Sequence, residues 1–451
     1  MTTAVPPIEQ AWVPAAPVPG DRVAARWGAF LCLLSVVAWG ASVVVPFTVV
    51  LAGVAAVASL AAVAGLRFPQ IGLLGIGLLC ALDGLIGPLF LLGGLLRWST
   101  LNYWLVGVAI LFAPLLLRER GLPTIFLWLF TVWVLIGLLF SPDRMAGLAQ
   151  MSGLLVVVGL LAYFRRGSRG LEGWYWMAVT IALTAALCSA SFLTRYPQVG
   201  RINPNIWSDV PLAGIHAACL GLAVAPSRRR RVILGLLTVV NLAWVFLSGS
   251  RGALLIGLVS IAAMVAMGES RKRAAAFVLA GALLIAAVGS QFPHLARQSI
   301  ERITLLWDDS KSVKVRTSAR SEIARGGWEL FRRHPVLGVG TGGFIRERAA
   351  LGRVGDAYYR PGQRRSAHSA WVKVLAENGA PGALLLAGYV ASFAVVGLRR
   401  RERRLRLLAV AVSVTLLLGL LATEFQSKEL WLFTAGCAVL LTTPAARARP
   451  V

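Results

Sequence analysis

Residues 364–379 of the chain read RRSAHSAWVKVLAENG. This stretch closes a long polar segment, from about Phe292 to Pro381, in a chain of 451 residues that is otherwise divided into apolar runs. The segment holds three of the four histidines and sixteen of the 45 Lys and Arg residues. Polar chemistry is therefore concentrated in one large loop, and we expect the apolar runs to hold that loop in place.

The composition identifies the solvent around the rest of the chain. Hydrophobic residues make up 57% and charged residues only 14%, and the mean hydropathy is +0.74. No soluble protein covers its surface with so few charges, so the chain is predicted to lie among membrane lipids. The net charge of +26 would suit a nucleic-acid partner. The charges form short clusters between apolar runs, however, and this pattern argues against nucleic acid.

The five cysteines all lie within apolar runs, and none has a neighbour at metal-ligand spacing. An odd number of buried thiols indicates core packing and not a disulfide framework. We expect no metal site.

A bilayer core about 30 Å thick requires roughly 20 apolar residues in a helix. We therefore predict an all-α, polytopic integral membrane protein with about 12–14 transmembrane helices and one large extracytoplasmic loop. Fourteen apolar runs lie near residues 27–45, 47–66, 71–95, 101–117, 122–141, 145–164, 173–193, 207–225, 232–248, 252–268, 274–292, 381–398, 407–423 and 429–443. The predicted regions are a disordered cytoplasmic tail (1–26), helices 1–11 (27–292), the large loop (293–380), helices 12–14 (381–443) and a second cytoplasmic tail (444–451).

The distribution of basic residues predicts the orientation of the chain. If the N-terminus is cytoplasmic, the positive-inside rule makes every second connection basic. The connections on the predicted inside, with both chain ends, hold 23 Lys and Arg residues, whereas the short connections on the predicted outside hold 6. Both termini are therefore predicted to be cytoplasmic, and the large loop extracytoplasmic.

Three local patterns divide the large loop. Ile323, Trp328, Leu330 and Phe331 predict an amphipathic helix on the membrane surface. A glycine-rich turn follows at residues 335–344, and a nucleotide-binding interpretation of it is weak because no strand precedes it.

The third pattern is a short helix around His368. Ser366 is its predicted N-cap and residues 378–381, Asn-Gly-Ala-Pro, are its predicted end, so His368 is expected in the first helical turn. Of the other histidines, His216, His294 and His334 are interpreted as structural.

The residue types of the loop suit transfer from an activated donor. The extracytoplasmic side of a membrane contains no ATP, so the donor there must already be activated, as in a sugar linked by pyrophosphate to a lipid carrier. His368 suits a general base, because the ordinary histidine pKa of about 6.5 lies near the working pH. Arginine suits the leaving pyrophosphate, because its planar fork binds phosphate oxygens in pairs. Arg251 lies between two apolar runs, where an arginine is functional by default, whereas Arg201 is as well explained by a structural role.

Four places along the chain resemble the superfamily of O-antigen ligases and O-antigen polymerases, which are bacterial integral membrane glycosyltransferases. These places are Arg201 before Asn203-Pro204-Asn205, the sequence SGSRG at 248–252, Arg320 ahead of Pro335 with Gly338, Gly340 and Phe344, and His368 followed after ten residues by Gly379. The resemblance covers roughly residues 190–390. It implies a fold like that of the GT-C glycosyltransferases in a bacterial cytoplasmic membrane.

The resemblance also implies roles for these residues. His368 would be the catalytic base, and Arg251 and Arg320, with Arg201 as a further candidate, would bind the pyrophosphate. Arg316 and Arg325 are rivals for the role of Arg320, because Ala324 stands where many members carry a larger apolar residue. Gly338, Gly340 and Gly379 would be structural.

The implied reaction is inverting and needs neither a metal nor another cofactor. Its donor is an undecaprenyl-pyrophosphate-linked glycan, and its acceptor is a hydroxyl of a glycan or a lipid core. A polysaccharide polymerase and a protein O-oligosaccharyltransferase are alternatives within this class, and a polytopic transporter or lipid flippase is the alternative outside it. Transport is disfavoured because the polar residues concentrate in one loop and not within the spans.

Overall fold

The computed structural model describes most of the chain outside its ends. The described residues are 21–42, 47–64, 71–72, 74–79, 121–167, 171–195, 207–225, 227–268, 271–313, 317, 320–351, 367–422 and 428–442. Residues 1–20 of the first predicted tail, the second predicted tail, most of the predicted span 71–95, the predicted span 101–117, Arg201, Arg316 and Ser366 lie outside them. Residues 21–26 of the first predicted tail form the start of a helix.

All regular secondary structure among these residues is helical. The α-helices are α1 (Asp21–Ala41), α2 (Phe47–Ala64), α3 (Leu122–Leu139), α4 (Arg144–Gly167), α5 (Leu171–Arg195), α6 (Asp209–Val224), α7 (Arg228–Ser248), α8 (Arg251–Met267), α9 (Arg271–Gln291), α10 (Pro293–Thr304), α11 (Arg320–Arg333), α12 (Phe344–Ala350), α13 (Ala370–Leu398), α14 (Arg403–Ala422) and α15 (Lys428–Thr442). The prediction of an all-α fold is confirmed.

The apolar runs form helices of membrane length. Within the described residues, seven helices are long and apolar enough to cross a bilayer, namely α1, α3, α4, α5, α7, α13 and α14. Three shorter apolar helices, α6, α8 and α15, lie at predicted spans. Helix α9 bends by 120° into α10, so the chain turns sharply where the large loop begins. The chain is therefore a polytopic membrane protein, and its total of 12–14 spans stays a prediction.

Small and polar side chains hold the central helices together. Ser35 on α1 and Thr184 on α5 share a hydrogen bond of 2.7 Å, and Asn241 on α7 donates one of 2.9 Å to the carbonyl of Ala182. Gly214 on α6 lies against Asn241, where a side-chain carbon would approach the amide to 2.7 Å. Small residues let membrane helices approach closely, and interhelical hydrogen bonds then stabilise the contact.

The connections assigned to the outside by the charge pattern meet at one end of the bundle. Arg346, in the large loop, donates a hydrogen bond of 2.6 Å to the carbonyl of Pro142 in the α3–α4 connection. Gly252, at the start of α8, packs on Ala422 at the end of α14. This end carries the large loop.

The connections assigned to the inside meet at the opposite end. Arg165 at the end of α4 donates to Thr442 Oγ1 over 3.1 Å, and Arg400 after α13 donates through Nε to the carbonyl of Leu441 over 2.8 Å. The structure therefore groups the connections as the alternation of charge predicts.

Candidate functional site

The glycine-rich turn joins the large loop to the membrane helices. Its backbone amides at Val339 and Gly340 donate hydrogen bonds of 2.9 and 3.0 Å to the carbonyls of Ala376 and Glu377 on α13. On its other side, Thr341 donates through its amide to Gly137 on α3 over 3.1 Å. The turn is therefore clamped between α3 and α13.

A break in α13 completes this clamp. Gly379 has φ 64° and ψ −166°, which interrupts the helix, and the next amide, that of Ala380, donates 2.8 Å to the carbonyl of Pro335. Trp133 on α3 donates through Nε1 to the carbonyl of Asn378 over 2.9 Å. The predicted stop at residues 378–381 is thus a kink, and the chain continues directly into the membrane-spanning part of α13.

The three glycines of the motif occupy places that admit no side chain. Gly338, Gly340 and Gly379 all have positive φ values, which L-residues with a Cβ disfavour. A side-chain carbon would overlap the Glu377 carbonyl at Gly338 and the Val336 carbonyl at Gly379, and would lie 2.8 Å from Ser141 Cα at Gly340. The close approach of backbone to backbone explains why these positions require glycine.

We expect Gly338→Ala and Gly379→Ala to destabilise the protein by more than about 1–3 kcal/mol each. A positive φ at a residue with a Cβ costs an amount of that size, and the steric overlap of the added carbon increases the cost. The measurement is the thermal unfolding midpoint of the purified protein in detergent. Gly40→Ala is the matched control, because Gly40 is helical and has no atom within 4 Å of the added carbon. A midpoint in Gly379→Ala equal to that of the control would contradict the clamp.

Glu377 ties the same turn to α12. Its carboxylate is completely buried, and Oε1 accepts a hydrogen bond of 3.1 Å from the amide of Phe344, the first residue of α12. A carboxylate at a helix N-terminus accepts a hydrogen bond from an amide that has no partner within the helix, and its negative charge is stabilised by the helix dipole. This role of Glu377 could not be predicted, because a carboxylate in the middle of the short helix gives no sign in the sequence that it is buried.

His368 lies immediately before this helix and not in its first turn as predicted. The N-cap is Ser369 and not Ser366: its side chain accepts from the amide of Val372 over 3.5 Å and donates to the carbonyl of Leu420 on α14 over 3.4 Å. The second bond, to a residue far along the chain, selects Ser369 over Ser366. It also holds this helix start against the end of α14.

The backbone at His368 is unusual. Its φ is +50°, the only positive value of a residue other than glycine in the part of the chain that the structure describes. Its neighbours Ala367 and Ser369 are buried, whereas His368 itself is exposed. Such conformations persist where the surroundings impose them, and they concentrate at functional sites. The packed neighbours thus hold the backbone of His368 in place and leave its imidazole at the surface.

Arg251 lies at a sharp junction between the helices α7 and α8. Gly249 ends α7 with φ 67°, and Ser250 begins α8 by accepting a hydrogen bond of 3.4 Å from the amide of Ala253. Arg251 is therefore the first residue of α8, at the end of the bundle that carries the large loop.

Arg302 on α10 reaches the same junction, a contact that the sequence analysis missed. A side-chain carbon on Gly249 would lie 3.2 Å from Arg302 Cδ and 3.3 Å from Ser299 Oγ, so α10 crosses directly over the junction. Arg302 is close enough to interact electrostatically with Arg251. Arg302 lies in a polar helix with several other charges. Such surroundings are typical of a solvated arginine, so the sequence did not indicate a functional role for it.

Arg320 joins this group from α11. Burial lowers the pKa of the Arg320 guanidinium below its ordinary value, and the nearby positive charge of Arg251 lowers the pKa further. The structure thus brings both Arg302 and Arg320 close to Arg251, which repels each of them. Arg325, the alternative to Arg320 that lies within the described residues, is exposed on α11.

Packing also brings Arg320 towards His368. Ile323 on α11 and Ala367, the residue before His368, belong to one buried apolar cluster with Leu330 and Phe344. Residues three apart on a helix share a face, so Arg320 lies on the face of α11 that Ile323 turns towards this cluster. The prediction that this apolar face rests on the membrane was wrong for Ile323 and Leu330, which are buried in protein.

Arg320 lines a narrow pocket, together with Ser250 and Gly252, the two neighbours of Arg251 in the chain. It is lined by Ser208, Asp209, Leu212, His216, Ser250, Gly252, Ala253, Ile256, Arg320, Gly419, Ala422 and Leu430. Its volume of about 20 Å³ holds no more than a water molecule, so a larger anion would bind at the mouth. The N-termini of α6 and α8 both meet there, and a helix N-terminus favours an anion. His216 is completely buried, and its ring stacks on Phe433 at 4.6 Å.

No group of three His, Cys, Asp or Glu side chains is placed to hold a metal ion within the described ranges. The described site offers an exposed imidazole and a group of arginines at the same end of the bundle, the end that carries the large loop. Arginines and helix N-termini bind phosphate oxygens, and an imidazole accepts a proton.

Comparison with known protein families gives a match over part of the chain. A family model described as O-antigen ligase (Wzy_C) matches residues 236–387. The match includes Arg251, Arg302, Arg320, His368 and Gly379, and it excludes Arg201. A search of the curated proteins gave no match. Over residues 236–387 the chain is therefore similar to the O-antigen ligase family, and this similarity supports the family resemblance of its motifs.

Proposed function

We propose that this protein transfers a glycan from an undecaprenyl-pyrophosphate carrier to an acceptor hydroxyl, on the extracytoplasmic side of a bacterial cytoplasmic membrane. The observation that carries the proposal is that Arg302 and Arg320 lie close to Arg251, at the same end of the bundle as the exposed His368. Positive charges held close together suit a ligand with several negative charges. A lipid pyrophosphate supplies those charges at the membrane surface, where this end of the bundle lies.

The arginines stabilise the leaving group in this mechanism. The bond between the anomeric carbon and the pyrophosphate oxygen breaks, and negative charge develops on that oxygen. Guanidinium groups held in place before the reaction stabilise this charge without reorganising, an effect that typically contributes about 3–4 kcal/mol for each donor. Arg302 acts here as a third cation beside Arg251 and Arg320. It adds positive charge on the side where α10 covers the junction.

His368 removes the proton in the same step. The acceptor hydroxyl attacks the anomeric carbon from the face opposite the pyrophosphate, so the configuration at that carbon inverts. The proton of the hydroxyl passes to the imidazole of His368, and the pyrophosphate leaves on its lipid. Because the side chain of His368 is exposed, an acceptor can approach it from outside the protein.

A transfer assay with purified protein tests the proposal. A lipid-linked glycan with a labelled sugar is supplied in detergent or proteoliposomes with a lipid-core acceptor or with a second molecule of the lipid-linked glycan. We expect a glycosidic product of inverted configuration together with released lipid pyrophosphate. Product on the lipid core identifies a ligase, and extension of the second glycan identifies a polymerase.

The same experiment in proteoliposomes can also overturn the proposal. A flippase would move the labelled donor across the bilayer and leave its sugar–pyrophosphate bond intact. Translocation without any new glycosidic bond, with every acceptor tested, would reject the transferase.

A further inference from the structure

A second cavity lies at the opposite end of α13 from His368. It has a volume of about 520 Å³ and is lined by Gly121, Leu122, Arg165, Val396, Arg399, Arg400, Leu441 and Thr442. The part of α13 that follows the kink at Gly379, residues 380–398, is alone about 28 Å long at 1.5 Å per residue and lies between the two places. This cavity is therefore at the other face of the membrane and takes no part in the proposed transfer.

The polar side of the cavity is basic. Three of its eight lining residues are arginines, and none of the eight is acidic. Two guanidinium groups are held in place at the end of α15: Arg165 by Thr442 Oγ1 and Arg400 by the carbonyl of Leu441. Arg399 is exposed beside them. Fixed arginines in a concave site favour a phosphate group, which they can bind in pairs.

A helix N-terminus adds to the positive field. The cavity contains the start of α3, whose N-cap Gly121 has no side chain to accept hydrogen bonds from the first turn. The amides of that turn carry the partial positive charge of the helix dipole. The arginines and the helix start thus act on a ligand in the same direction.

The other side of the cavity is apolar. Leu122, Val396 and Leu441 belong to three different membrane helices, α3, α13 and α15. A soluble phosphate would gain nothing from these side chains, whereas a phospholipid has acyl chains to place against them. The cavity therefore suits an amphipathic ligand with an anionic head.

We propose that this cavity binds the phosphate headgroup of an anionic phospholipid. By the alternation of charge the cavity faces the cytoplasm, and basic pockets between helices on that side bind the headgroups of anionic lipids. This inference does not depend on the transferase activity, because it concerns the opposite face of the membrane.

Native mass spectrometry of the full-length protein tests the inference. The protein is released from detergent in the presence of phosphatidylglycerol, phosphatidylcholine, or phosphatidylglycerol with excess inorganic phosphate. We expect retention of phosphatidylglycerol over phosphatidylcholine and no displacement by inorganic phosphate. Arg165→Gln with Arg399→Gln should lower retention about 25-fold, since each basic residue near the surface contributes about fivefold.

The matched control is Arg228→Gln with Arg229→Gln, two exposed arginines at the same predicted face that do not line the cavity. An equal loss in the control would show diffuse attraction and overturn the site. Equal retention of phosphatidylcholine, or displacement by inorganic phosphate, would overturn the assignment to an anionic lipid. The single variant Arg399→Glu provides a second test if the double variant fails to fold, and unchanged retention in Arg399→Glu would also reject the inference.

Discussion

Replacement of His368 by alanine is expected to lower the turnover number by about 10²- to 10⁴-fold, the usual contribution of a positioned general base. The variant should fold normally, because the side chain is exposed and the packing is done by its buried neighbours Ala367 and Ser369. It should also bind the lipid-linked donor with unchanged affinity, since the proposed donor contacts come from the arginines. The measurements are the transfer rate and the donor dissociation constant at equal amounts of folded protein.

Two controls separate a missing base from other causes. His294→Ala removes another exposed histidine of the large loop and should leave the rate unchanged. Added imidazole should restore part of the activity of His368→Ala, because the exposed site leaves room for a free base. Full activity in His368→Ala would reject the catalytic role. A lower rate caused only by weaker donor binding would instead place His368 among the pyrophosphate ligands.

The membrane architecture could be predicted from the sequence because lipid imposes a simple rule. Backbone polar groups in a bilayer must be satisfied within the segment, so apolar runs of sufficient length become helices. Helices α3, α5 and α7 lie where the runs 122–141, 173–193 and 232–248 predict them. The grouping of the connections at two ends follows from the same segments, because each span reverses the side of the next connection.

The spacing of His368 and Gly379 was also visible in the sequence, and the structure supplies its physical reason. The nine residues from Ala370 to Asn378 form a helical segment of about 14 Å between them. Gly379 then docks on the glycine-rich turn, and the turn docks on α3. The number of residues between His368 and Gly379 therefore sets the distance of His368 from the clamp.

Contacts between distant segments could not be predicted. Ile323 and Leu330 form an apolar face that fits a membrane surface equally well, and only the presence of Ala367, Phe344 and Ala376 decides that protein covers it. Arg302 gave no signal because its importance depends on the 120° bend that lays α10 over Gly249. The N-cap is likewise Ser369 and not Ser366 because Ser369 has a hydrogen-bond partner, Leu420, far along the chain.

Arg251→Ala and Arg320→Ala are each expected to lower kcat/KM by about 10²- to 10³-fold, the effect of removing one fixed donor from a developing oxyanion. Unlike His368→Ala, both should also weaken donor binding, because a contact to phosphate acts in the ground state as well as in the transition state. Arg→Lys at either position should restore only part of the loss, since an ammonium group lacks the planar fork. Arg325→Ala is the matched control on α11, and its exposed guanidinium predicts no effect.

Combining substitutions tests whether the arginines act on one ligand. Arg251 and Arg320 repel each other in the absence of donor, so the loss of one relieves the other, and the two losses should not add. Arg302→Ala should show the same coupling with Arg251→Ala, with a smaller effect of its own because only its proximity to Arg251 links it to the site. The measurement is the double-mutant cycle for donor affinity and transfer rate. Strictly additive losses would mean that the guanidinium groups bind separate ligands, and the common pyrophosphate site would have to be abandoned.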